Sequence, residues 1–367
     1  MDRFLVLRSL GAQSSSILRR MQYLKSIWSI DSEPVKQFKK RHFGNIQALV
    51  FDNSVERYLL SGGTESLVCL WDLEAEKDAE ETSIGPISFI PVHSGHQYEI
   101  SDINWWPFDQ GLFTTSSFDH FVKVWNTDTM QEVCSFDLGE KVYAHTLSLV
   151  ASHCLVACGT DSSSIRLCDL KTGAFTHSLQ GHEGNVLTVL WSPRDDYTLV
   201  SGGSDGSVRL WDVRRAISCL KCFHQYNLQI DSTFQRNCSH NGPVNGLAFT
   251  SDGFYLVSVG HDEAMRAWDL QDGLNTFIHY GQTIRNTRFQ ETNPYITHSD
   301  ESETPFILFP SNDSQIHIFD LFHGNLIKTL NSTQGKVSCV TGKKYSAEFY
   351  SGNDHQIFTW LPKKPNY

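Results

Sequence analysis

The residues in this chain best suited to chemistry are its sixteen histidines and nine cysteines, and they crowd most densely around S-C-L-K-C-F-H at 218–224. That stretch sets Cys219, Cys222 and His224 close in sequence to Cys238 and His240, a spacing with the outward form of a zinc site of thiolates and imidazoles. Two features argue against a metal. In an outer strand over 217–223, the side-chain period of two points Cys219 and Cys222 to opposite faces. His240 falls at a position that recurs along the chain, where at least four histidines have a structural reading. No Walker loop, G-x-S-x-G elbow, H-E-x-x-H pair or dinucleotide fingerprint occurs in the sequence. The sequence therefore predicts no catalytic residue, no cofactor and no metal, and the chain reads as a binder of other molecules.

Composition narrows the partners. With 40% hydrophobic residues, 23 Phe, 12 Tyr and 9 Trp, the chain has material for a large core, and 19% charged residues is too few for a disordered one. The net charge of −11 is unevenly spread. Residues 1–41 carry nine Lys or Arg against three Asp or Glu, so the rest is more acidic than the total suggests. An acidic body is a poor match for a phosphate backbone, so protein partners are expected and sequence-specific nucleic-acid binding is not. No apolar run reaches the length of a membrane span. An odd number of scattered cysteines reads as reduced thiols in a cytosolic or nuclear compartment. The first 27 residues, with five Lys or Arg, five Ser and one acid, share their composition with mitochondrial presequences, which sets a targeting reading beside a docking one.

The elements that position these residues come from an internal repeat. Its best copy begins at Gly181-His182 and runs through VLTVLWSPRDDYTLVSGGSDGSVRLWD to Asp212. Three strands are readable in it, Leu187 to Trp191, Thr198 to Ser201 and Ser207 to Trp211, separated by turn-forming residues, with a fourth expected before the next histidine. Aligned on the closing residue, the copies end at Trp71, Trp125, Cys168, Trp211, Trp268, Phe319 and Trp360. Seven units 41 to 57 residues apart predict an all-β, seven-bladed WD-repeat propeller over 31–367, preceded by a helix-loop-helix arm over 1–30. Closing the ring requires Val35 to Lys40 to pair beside Gln356 to Trp360.

Within such a blade a His, a Ser or Thr, an Asp and the Trp form a buried chain in which each polar group needs a partner. Three blades have all four: His96, Thr115, Asp119 and Trp125; His182, Ser201, Asp205 and Trp211; His240, Ser258, Asp262 and Trp268. Blade one has His42, Ser61 and Trp71 with Glu65 in the Asp place. Blade three offers only Cys158, Ser162 and Cys168, blade six ends in Phe319, and blade seven keeps Asp354 and Trp360 without the His. Connections 74–92, 215–238 and 290–305 are too long for simple turns, and loops of that length are commonly functional or disordered.

Two features break the regularity. Only blade four continues its Trp as Trp-Asp-X-Arg, Trp211 to Arg215 having Arg at 214 and 215. The turn after the third strand shares a rim with the turn between strands one and two, and arginine's fork suits paired bonds to carboxylates or carbonyls. The second is the N-terminus. Phe4, Leu5 and Leu7 precede Gly11, Ser14 to Ser16 cap a helix, and Ile17, Met21, Leu24 and Trp28 recur along it as an apolar stripe that the propeller itself, a transport receptor or a partner's groove would cover.

Taken together, FL at 4–5, LRR at 18–20, YLLSGG at 58–63, WPFDQGLFTTSSFD at 106–119, HCLVA at 153–157, LCDLKTG at 167–173, LQGH at 179–182 and WDVRRA at 211–216 resemble the Cockayne syndrome group A family of WD-repeat proteins. The likeness spans nearly the whole chain, including the unusual Cys168 ending, and fades over 223–237 and 281–318. It implies a non-catalytic substrate receptor of a cullin-4 ubiquitin ligase, acting in transcription-coupled nucleotide excision repair in the nucleus, with the cytoplasm as a second compartment. It further implies that Phe4, Leu5, Leu18, Arg19, Arg20, Asp212 and Arg214 contact the ligase's damaged-DNA-binding adaptor, and through it cullin-4, while the propeller's other side meets substrates, repair proteins and stalled RNA polymerase II factors. A propeller scaffold in transcription or chromatin assembly, without a ligase role, is the competing expectation.

Overall fold

The computed structural model describes residues 15–30, 36–75, 83–92, 94–150, 152–215, 219–227, 238–287, 290–298, 305–332, 335–344 and 346–363. They build seven four-stranded antiparallel sheets, each running in chain order from the axis to the rim except the last. Blade four consists of Val186–Trp191, Thr198–Gly203, Val208–Asp212 and Cys219–Cys222, each readable strand displaced from its expected bounds by one or two residues. The last blade takes Cys339–Gly342, Phe349–Gly352 and Ile357–Trp360 from the C-terminal end and borrows its outer strand, Lys36–Gln37, from the N-terminal side. Lys36 pairs with Thr359 and Gln37 with Phe358, so the ring is sealed by the two ends of the chain.

A twisted sheet with two apolar faces must bury both, and here each face meets only the next blade. The described core accordingly divides into seven clusters, one at each blade junction. Glycines hold the blades close. A Cβ on Gly62 would stand 2.6 Å from Ile103 in the next blade, and one on Gly202 2.7 Å from Val244, which explains the recurring S-G-G: its first glycine admits the neighbouring blade.

The three long connections each contain a strand. Cys219–Cys222 is the outer strand of blade four, inside the expected 217–223. Pro86–Ile90, the outer strand of blade one, and Tyr295–Ile296, the inner strand of blade six, are short or only partly apolar, which hides them from periodicity. The acidic stretch after Ala75 lies outside the described residues.

Helix α1, Ser15–Ser29, corrects the expected stripe. Tyr23, Ile27 and the following Ile30 are buried in the blade six–seven cluster, with Tyr23 stacked on Phe306 at 5.8 Å. Met21 and Trp28 are instead 52% and 62% exposed. At about 100° per residue, Tyr23–Ile27–Ile30 and Met21–Leu24–Trp28 are two stripes roughly 130° apart. The propeller covers the first; of the stripe conspicuous in the sequence, Leu24 is partly buried against the same cluster, while Met21 and Trp28 face away from it. The preceding helix expected around Phe4 and Leu5 lies outside the described residues. Among the described residues no helix is long and apolar enough to cross a membrane.

The axis of the ring is crossed by Gln290–Asn293, just before the inner strand of blade six. Gln47 of blade one donates to Gln290 (2.8 Å), and Gln290 donates to Glu99 at the entry to blade two (2.9 Å). Thr188 of blade four donates to Glu291 (2.7 Å), and the Leu247 amide of blade five to Asn293 (2.9 Å). One short segment thus ties five blades together from the centre. Burial pushes the Asp102 carboxyl up to about 7, and burial together with the charge of Asp102 holds Glu291 well above the usual carboxylate range. Both bind protons more tightly folded than unfolded, so the folded state loses stability as pH rises from ordinary carboxylate values towards 7. Glu291→Gln should therefore raise the urea midpoint at pH 8 and flatten its decline between pH 5 and pH 8; an unchanged decline would refute a proton held at the plug.

Candidate functional site

The repeat's polar chains are assembled as the spacing requires. In blade four His182 Nε2 lies 2.6 Å from Ser201 Oγ, its Nδ1 3.1 Å from the Asp205 carboxylate, and Trp211 Nε1 donates to Ser201 Oγ at 2.8 Å. Blade five repeats this with His240, Ser258, Asp262 and Trp268, and blade two with His96, Thr115, Asp119 and Trp125. In blade one Glu65 reaches His42 Nδ1 at 2.6 Å, completing the chain through Ser61 and Trp71. Burial raises the carboxyls of Asp119, Asp205 and Asp262, but the facing imidazole and backbone amides outweigh it and hold all three below their ordinary value. These groups lock the turn between strands two and three to the crossing that enters the blade, and none is free for chemistry.

Blade three has replaced the chain altogether. Leu138 stands where the histidine would, four residues before the first strand, and packs in one cluster with Cys158 and Cys168. The Cys158 thiol is raised by its hydrogen bond to Cys168 and by burial. A partly satisfied buried network is worse than an apolar one, so losing His, Ser and Trp together is the stable way to lose them. The cost falls on Arg166. Its counterpart in blade five, Arg266, reaches Asp262 at 2.9 Å, whereas Arg166 Nε is buried without a hydrogen-bond partner. Between blades two and three a network outside the repeat compensates: His145 meets Thr114 Oγ1 at 2.8 Å and Ser116 Oγ at 2.9 Å. Burial holds this imidazole down at about 3, hence neutral. Nothing in the repeat pattern announces His145, because it sits within a strand.

The bulge at Leu210/Trp211 corrects the zinc argument. Cys222 faces Arg209 and Cys219 faces Trp211 across the ladder, so the two thiols share a face instead of opposing ones. Burial is the leading cause that raises both, Cys222 to about 12, which disfavours thiolate. Among the described residues no group of three or more His, Cys, Asp or Glu is placed to hold a metal.

The turn after Trp211 is the most distinctive surface. Arg214 forks onto its own Asp212, Nε to Oδ1 at 3.0 Å and Nη2 to Oδ2 at 2.9 Å, and Arg215 lies 3.5 Å from the same carboxylate. The hydrogen bond from Arg214 is the main reason Asp212 sits below its usual range. The Arg214 guanidinium also stacks 4.5 Å over Tyr197, from the turn between strands one and two. A depression of about 670 Å³ opens beside it, lined by Arg194, Tyr197, Leu220, Phe254 and Leu270. Blade one holds its equivalent Asp72 with Arg57 from the other turn, Nε to Oδ1 at 2.8 Å, a pair that alignment on Trp-Asp alone misses.

Helix α1 reaches the same rim. Ile30 bridges to Pro362, and the Lys363 amide donates to Ser29 O at 3.0 Å. Pro362 follows Trp360 as Arg214 follows Trp211, so the end of α1 and the arginine turn lie on one side of the disc, three blades apart. Leu18, Arg19 and Arg20 lie on α1, with side chains outside the description; Phe4 and Leu5 lie outside it entirely.

The WD domain, G-beta repeat, matches residues 88–126, 173–212 and 232–269. The chain is 30% identical to WD repeat-containing protein ATCSA-1 of Arabidopsis thaliana, over 95% of its own length and 92% of that protein's. It belongs to the WD-repeat family. This WD-repeat protein is also 28% identical to Radiation-sensitive protein 28 of Saccharomyces cerevisiae, over 58% of the chain and 44% of the relative. It is 26% identical to the Ribosome biogenesis protein WDR12 homolog of Aedes aegypti, over 51% and 46%.

The contrast between blades four and three is measurable. Ser201→Ala strands the buried Trp211 Nε1–H and one histidine nitrogen, and should cost about 2–4 kcal/mol in urea unfolding. Cys158→Ala removes one sulfur from an apolar cluster and should cost about 1 kcal/mol. Equal losses would mean that the polar chain contributes nothing beyond packing.

Proposed function

We propose that this protein is the substrate-recognition subunit of a cullin-4 ubiquitin ligase, docked on the ligase's damaged-DNA-binding adaptor, and that it acts in the nucleus in transcription-coupled nucleotide excision repair. The observation that carries the reading is the shared rim. Met21 and Trp28 form an apolar helix face turned away from the propeller, and the same side of the disc carries Arg214, whose side chain is 56% exposed and held in place by Asp212. An apolar helix face suits a partner's groove, and an oriented guanidinium suits its carboxylates or carbonyls. Leu18, Arg19 and Arg20 precede Met21 on the same helix, and Phe4 and Leu5 complete the proposed contact. The likeness to WD repeat-containing protein ATCSA-1 over 95% of the chain supports the family reading.

No group transfer is assigned to this chain. It would hold a repair or stalled RNA polymerase II factor beside a bound ubiquitin-conjugating enzyme at high effective concentration. The same propeller could serve transcription or chromatin assembly without a ligase, and the adaptor decides between the two.

Truncating the helix is a poor test, since it would pull Tyr23 and Ile27 out of the blade six–seven core. Trp28→Glu combined with Arg214→Ala changes only side chains that are more than half exposed, and leaves Arg215 on Asp212. The full-length double variant should unfold at the wild-type urea midpoint and recover at least about tenfold less adaptor on affinity purification, a loss of about 1.4 kcal/mol. Wild-type recovery from the double variant would overturn the docking reading and favour the scaffold.

A further inference from the structure

The face opposite Arg214, formed by the turns between strands two and three and by the crossings between blades, holds a depression of about 640 Å³ at the junction of blades one and two. Its lining includes Glu65, Tyr98, Glu99, Phe118, His120 and Lys141. We infer that this depression receives the basic side chain, Lys or Arg, of a bound protein segment.

Three observations carry this. Two aromatic residues line the depression, and one of them, Tyr98, is 63% exposed. Glu99 is fixed from behind by Gln290 of the axial plug, 2.9 Å from its Oε2, so a carboxylate is positioned without spending its own conformational freedom. The protein's own ammonium already tests the site: Lys141 Nζ stands 6.0 Å over the Phe118 ring, and its charge favours the ionised form of Glu99 against the burial that raises it. An aliphatic stem ending in a cation suits rings beside a carboxylate. Glu65 and Glu99 together repel phosphate and acidic peptides. Lys141 is exposed and its side chain donates no hydrogen bond among the described residues, so an incoming cation can displace it.

The displacement gives the inference a distinctive sign, since removing the internal cation should strengthen binding. The probes are fluorescein-labelled pentapeptides of Gly and Ser with a central Arg, Lys or norleucine, titrated against the full chain by anisotropy at about 0.1 M salt. The Arg and Lys peptides should bind at least about fivefold tighter than norleucine, Tyr98→Ala should weaken them about fivefold, and Lys141→Ala should tighten them. No binding at millimolar protein, equal binding of the three peptides, or weaker binding by Lys141→Ala would each overturn it. Because the depression lies opposite the proposed adaptor rim, the two proposals stand or fall on separate measurements.

Discussion

The ring is held by a strand of two residues. Lys36 and Gln37 pair with Thr359 and Phe358, and the next residue, Phe38, is buried with its ring edge-on to Trp71 of blade one at 5.2 Å and to Tyr350 of blade seven at 6.3 Å. Without that closure, blades seven and one would each expose an apolar face, and blade seven an unpaired outer edge. Every other feature presumes a closed disc. The seven junction clusters need two neighbours each, the axial plug needs blades on all sides, and α1 needs blades six and seven side by side. The closing strand also carries the chain from α1 to blade one, so the helix is anchored at the seam it helps to cover.

The repeat was legible because its constraints are local. Strand alternation, the turn residues and the Trp spacing follow from the period of a pleated sheet, and they placed seven blades, the closing strand and the polar chains of blades two, four and five. What escaped depends on contacts distant in sequence. Gln290–Asn293 reads as part of a long loop because its partners, Gln47, Glu99, Thr188 and Leu247, lie in four other blades. The bulge that puts Cys219 and Cys222 on one face follows from the register against Trp211, which no pattern within the outer strand reveals. On α1 the sequence displayed the stripe with Trp28 and hid the one with Tyr23, because tyrosine and isolated isoleucines look less apolar than a run containing tryptophan.

Degeneracy in this propeller is organised. Blade three has exchanged its whole polar chain for Leu138, Cys158 and Cys168, and the adjacent junction has acquired His145 with Thr114 and Ser116. The apolar exchange removes the bonds that run through the histidine, and the turn between strands two and three is tied instead by Thr160, whose hydroxyl meets Glu140 and Ser162. The His145 network adds a directional tie between blades. The irregular blade is thereby held by its neighbour as well as by itself.

The two faces of the disc then differ in kind. On the rim with Arg214, the prominent charge is satisfied in place by Asp212, and the helix face carried three blades away on the same side presents Met21 and Trp28, so association there releases apolar surface from water without stranding a buried charge. On the opposite face, Glu99 is tied to the plug through Gln290, and the plug is tied to blades one, two, four and five. A group that engages Glu99 therefore acts on a carboxylate whose position is set at the axis of the ring, and its interaction is shared with the residues that hold the blades together.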